Sequence, residues 1–69
     1  MYRKLRGRLK ELDIEHSYLA KKIGIGKATM SSRMTGKEPW TITEMYAVMD
    51  IINEPDSKLH EYFPKGGRS

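Results

Sequence analysis

The sequence contains no cysteine. That excludes a disulfide framework and any thiolate-held metal, and nothing argues for an oxidising compartment. Proline is scarce: Pro39, Pro55 and Pro64 are the whole set, and all three lie outside the periodic apolar stretches, where a proline would break a helix. No apolar run approaches the roughly 20 residues needed to span a bilayer, and the basic N-terminus lacks the unbroken apolar segment of a signal peptide. A cytoplasmic protein without membrane contact is the expectation. Sustained period-2 alternation, Asn-Gly or Asp-Gly hairpin signals and internal repeats are missing as well, which argues against a sheet or a repeat array. Acidic residues are few in the first half, where Glu11, Asp13 and Glu15 are the only ones before Glu38.

What is present fits one small domain. The chain has 69 residues, 38% hydrophobic and 32% charged, enough apolar content for a single core and too much for a disordered tail. Neither a large enzyme nor a separate effector domain is expected within this length. Thirteen Lys and Arg stand against nine Asp and Glu, a formal charge of +4, and the balance is uneven. Arg3, Lys4, Arg6, Arg8, Lys10, Lys21, Lys22, Lys27, Arg33 and Lys37 face only three acids over residues 1 to 37, a local net of +7. From Glu38 onward Lys58, Lys65 and Arg68 meet Glu38, Glu44, Asp50, Glu54, Asp56 and Glu61, a net of −3. Such a split points to a positive face that meets a polyanion and a second half with another task.

Apolar spacing predicts the elements. Tyr2, Leu5, Leu9 and Leu12 give an amphipathic helix over residues 2 to 12, with Gly7 weakening it and marking a possible close approach of a neighbouring backbone. Leu19, Ala20 and Ile23 define a second helix from about His16 to Ile23, stopped by Gly24. A third runs from Lys27 to about Met34 with Met30 and Met34 inward, closed by Thr35 and Gly36. Thr41 to Glu44 has capping-box spacing and opens a helix with Ile42, Met45, Val48, Met49 and Ile52 on one side. Asp56 or Ser57 can cap a last short helix carrying Leu59, Tyr62 and Phe63, ended by Pro64. The fold class is therefore all-α, a compact bundle of about five short helices over residues 1 to 64, followed by a flexible tail over residues 65 to 69.

Two short helices joined by a glycine-containing turn, with small Ala20 where they must approach, are the parts of a helix-turn-helix. Counted from His16, Leu19 and Ala20 fall fourth and fifth, Ile23, Gly24 and Ile25 eighth to tenth, and Met30 fifteenth. With this spacing the segment from Glu15 to Gly36 resembles the helix-turn-helix of the lambda-repressor-like family, the small Cro and repressor regulators of phages and bacteria. The opening basic helix, the Gly36-Lys37 loop, the Trp40 to Glu44 entry and Tyr62-Phe63-Pro64 extend the resemblance over nearly the whole chain. Two departures are visible. Arg33 stands where the family has an apolar residue, so that Met34 takes over the packing and Arg33 turns to solvent or phosphate. Glu15 and Gly26 stand where the family places Ser, Thr or Asn as helix caps.

The resemblance implies a non-enzymatic regulator that binds a double-stranded DNA operator as a homodimer, needs no cofactor or metal and takes no small-molecule effector. It makes the third helix the recognition helix in the major groove. Lys27, Ala28, Thr29 and Ser32 become base-contacting candidates: a lysine donates to guanine, an alanine touches a thymine methyl, and the hydroxyls bond either base type. His16, Ser17, Lys22, Ser31, Arg33, Thr35 and Lys37 become phosphate-contacting candidates, with the arginines and lysines at the N-terminus as further backbone contacts. Leu59, Tyr62 and Phe63 are candidates for the dimer interface or for simple burial. No catalytic or metal-ligating set is found, since neither His16 nor His60 has partners at triad or ligand spacing. The competing expectation is a protein-interaction module, antitoxin-like or adaptor, on the same scaffold with weak non-specific DNA binding.

Overall fold

Leu5 and Leu9 fall one turn apart, and the first helix forms by laying that stripe inward while its basic residues face out. In the computed structural model, which describes residues 1–68, this helix is α1, Arg3–Glu11. It is followed by α2 (His16–Ile23), α3 (Lys27–Thr35), α4 (Ile42–Ile51), a 3-10 turn over Asp56–Lys58 and the single-turn α5 (Leu59–Tyr62). The described residues are all helix, turn or irregular segment, with no strand among them.

Helix ends follow from residue type. Gly24 (φ 80°) and Gly36 (φ 81°) end α2 and α3 in the left-handed conformation that glycine adopts without strain. At the ends of α1 and α4 the same conformation falls to Asp13 (φ 58°) and Asn53 (φ 57°). Each closes a Schellman motif: Ile14 N–H donates to Leu9 at 2.8 Å and Glu54 N–H to Met49 at 3.0 Å. The predicted capping box is formed in full at α4. Glu44 N–H donates to Thr41 Oγ1 at 3.1 Å, and Thr41 N–H donates to Glu44 Oε1 at 3.0 Å. The last helix departs from expectation, because neither Asp56 nor Ser57 caps it; the chain enters through extended Pro55 and a 3-10 turn.

The core joins Leu5, Leu9, Leu19, Ala20, Met30, Met34, Val48, Met49 and Ile52 with an aromatic group of Tyr2, Trp40 and Phe63. Trp40 and Phe63 meet edge to face at 5.2 Å between centroids, and Tyr2 meets Phe63 at 5.9 Å and Trp40 at 6.2 Å. The expected tail is folded back on this group. Trp40 N–H donates to the Gly67 carbonyl at 2.7 Å and Tyr2 Oη–H donates to the same oxygen at 3.3 Å, which seats Gly67 in the interior. Residues 65 to 68 thus close the fold, and Ser69 lies outside the described residues. For Leu59, Tyr62 and Phe63, expected at a dimer interface or simply buried, the single chain shows burial. Tyr62 Oη–H donates to Glu54 at 2.9 Å, and none of the three offers a surface to a second copy. Gly7, expected at a close approach, has open space around it. No helix among the described residues is long and apolar enough to cross a membrane.

Candidate nucleic-acid interface

Packing Leu19 and Ala20 of α2 and Met30 and Met34 of α3 into one core fixes the two helices against each other across the Gly24-Ile25-Gly26 turn. Their outward faces then bound a cleft of about 340 Å³. Its floor is the edge of Met30 and Met34, and its walls are His16 and Ser17 from α2, Lys27, Ser31 and Thr35 from α3, and Arg6 from α1. Lys27, Ser31 and Thr35 follow one another at four-residue spacing, which puts them on one ridge of α3.

The cleft is suited to an anion for a further reason. Neither α2 nor α3 has a side-chain cap, so their leading backbone N–H groups are unclaimed by side chains and carry the positive end of the helix dipole. At α3 no acid stands in the first turn, whereas at α2 the N-cap residue is Glu15, whose carboxylate accepts from the Ser17 hydroxyl at 3.4 Å. By contrast, α4, in the acidic half, is closed by its capping box. Burial, and then the charge of Arg6, push the His16 imidazole below its ordinary pKa. At neutral pH it is therefore an uncharged N–H donor rather than a cation.

The structure gathers His16, Ser17, Lys27, Ser31 and Thr35 from the expected set, together with Arg6 from the expected N-terminal basic group. The Arg6 guanidinium also donates to the Met34 carbonyl at 3.0 Å, closing the C-terminal turn of α3, and to Met1 O at 2.9 Å. Ala28 is exposed beside this ridge, with Thr29 and Ser32 half-buried along α3. Lys37 is exposed in the loop after α3, outside the cleft. Thr35 Oγ1 is already used, donating to Ser31 O at 2.8 Å.

One expected phosphate contact is corrected. Arg33 donates to Glu44 at 2.9 Å and to Glu38 at 3.0 Å, its side chain only 12% exposed, so its charge is neutralised inside the molecule while Met34 takes the apolar position. Lys22 from the expected set is exposed but stands outside this cleft, with its Nζ 5.7 Å from the centre of the Tyr18 ring at the border of a different groove. The N-terminal basic group is likewise partly engaged: Arg8 holds the Ile52 carbonyl with two N–H groups at 3.1 Å, and Lys4 pairs with Glu61. The place of Arg6 was not visible from local pattern, because its acceptor on α3 is 28 residues away. No protein-family model, curated protein or solved structure matches the chain.

Proposed function

We propose that the chain is a sequence-specific double-stranded DNA-binding regulator in which α2 and α3 form a helix-turn-helix, α3 enters the major groove, and the start of α2 rests on a phosphate. The observation that carries this reading is the cleft where two uncapped helix N-termini, Arg6, His16 and Lys27 converge beside the exposed ridge of α3. Lys27 and Ala28, at the exposed start of α3, supply direct readout, and Thr29 and Ser32 supplement it. With one lysine among small side chains, DNA shape and the second half-site of a homodimer carry the rest of the specificity. The protein acts in the cytoplasm, on the nucleoid, without cofactor or effector. The resemblance of residues 15 to 36 to lambda-repressor-like regulators supports the same reading.

The test is a selection from random duplex DNA at near-physiological salt, followed by sequencing of the retained fraction. A pseudo-palindrome with half-sites about 10 base pairs apart is expected. No enrichment would overturn the reading in favour of a second one, a protein-interaction module on this scaffold. That alternative draws on one observation: Lys4, Arg8 and Arg33 are paired with carboxylates of the chain itself, which lowers the charge left for a polyanion.

A further inference from the structure

We propose that the groove between Tyr18 of α2 and the C-terminal end of α4 is a docking site for a short basic segment of another protein, anchored by an apolar side chain. The groove measures about 630 Å³, within the range of formed binding clefts, and is lined by Ile14, Tyr18 and Ile51 with Asp13, Glu15 and Lys22 at its edge. Tyr18 is 51% exposed, while Ile14 and Ile51 are half-buried. A large ring thus stands beside an apolar floor that the fold leaves open.

Charge selects the occupant. Glu11, Asp13 and Glu15, the only acids in the basic half of the chain, fall within five residues at the α1–α2 connection. All three are exposed, and among the described residues none pairs with a Lys or Arg. In the second half Glu38, Glu44, Glu54 and Glu61 are each paired; among the described residues the exposed Asp50 and Asp56 are not, but those two do not line the groove. With two carboxylates against the one ammonium of Lys22, this groove disfavours a polyanion seated within it, while the neighbouring α2–α3 cleft carries no acid among its described lining residues. A second copy docking here about a two-fold axis would bring a second set of the same carboxylates into one interface, a net excess of acid, so a basic segment suits the groove better than DNA or this chain. The ring face already receives a cation, the chain's own Lys22. A partner segment with a Leu, Ile or Phe between Tyr18 and Ile51, and an Arg or Lys reaching Asp13 or Glu15, satisfies both the apolar floor and the rim. The groove shares no residue with the α2–α3 cleft, so the inference stands apart from the DNA reading.

The test is a bead-bound library of random short synthetic peptides presented to the full chain, with the selected peptides titrated into nitrogen-15-labelled protein. Peptides combining Arg or Lys with Leu, Ile or Phe are expected, moving the amide signals of Ile14, Tyr18 and Ile51. Binding should fall roughly tenfold in Tyr18→Ser and in the Asp13→Asn, Glu15→Gln double variant. Asparagine tolerates the left-handed backbone at position 13, and both variants change exposed side chains, so the fold persists. Selection of acidic peptides, no selection, shifts confined to the α3 cleft, or unchanged binding by the variants would each overturn the proposal. So would groove signals that move with protein concentration alone, which would assign the face to a second copy.

Discussion

Lys4, Arg8 and Arg33 each pair with a carboxylate of the chain itself, so the cations left for a partner are fewer than composition suggests. Lys27 is exposed and borders the cleft, whereas Lys37 is exposed outside it. Replacing them separates two roles. Lys27→Ala should cost about 1–3 kcal/mol on the preferred duplex and relax one base position, while Lys37→Ala should weaken all duplexes alike and reduce the salt slope by about one. Competition binding against single-base variants of the selected site measures both; equal effects of Lys27→Ala on every duplex would remove its readout role. Glu44 provides a pH test. Burial pushes its carboxyl up, but the hydrogen bonds and charge of Arg33 together with the Thr41 backbone outweigh that and hold it below its ordinary value. A carboxylate lowered on folding stabilises above its unfolded pKa of about 4.3, and that contribution is lost as pH falls through the lower folded value. Glu44→Gln should cost about 1–2 kcal/mol at neutral pH and give a flatter stability profile below pH about 4.3, read by urea unfolding. Which residues carry charge was plain in the sequence. Which of those groups the fold engages was not, since the acceptors of Arg6 and Arg8 lie 28 and 44 residues away.

Among the elements, α2 and α4 were the most legible, because Gly24 and the Thr41-Glu44 pair are local signals whose physics acts within one turn. The expected start of α2 at His16 and its end at Ile23 match the structure. The ending of α1 was less plain, since the left-handed position falls to Asp13 instead of glycine and Leu12 extends the apolar period beyond Glu11. The seat of Gly67 was invisible, as it depends on Tyr2 and Trp40 from distant parts of the chain. Two glycines now predict opposite outcomes. A Cβ on Gly67 would sit 2.7 Å from the Trp40 carbonyl oxygen at φ +91°, so Gly67→Ala should destabilise by about 1–3 kcal/mol. A Cβ on Gly7 of α1 meets nothing within 4 Å, so Gly7→Ala should stabilise by about 0.5–1 kcal/mol. Thermal melts should move down and up respectively, by about 4–8 °C per kcal/mol in a domain of this size.

As a whole, the molecule is a body of 28 × 24 × 20 Å in which the core consumes the last helix's apolar residues. A homodimer on DNA must therefore use side chains other than Leu59, Tyr62 and Phe63. Analytical ultracentrifugation at tens of micromolar should show two protomers per duplex site, and monomer both with and without DNA would remove the dimer from the proposal. The all-helical class was legible from apolar spacing alone, whereas the way the two chain ends meet was not, because no periodicity links residue 2 to residue 67. That meeting point has an optical consequence. The single tryptophan, Trp40, sits where both ends converge and borders neither the α2–α3 cleft nor the Tyr18 groove. Its emission should be blue-shifted in the native state and move red when the ends part, yet stay constant when duplex DNA is added. The molecule thereby carries an internal fluorescent gauge of its closure that is silent to what its surfaces hold.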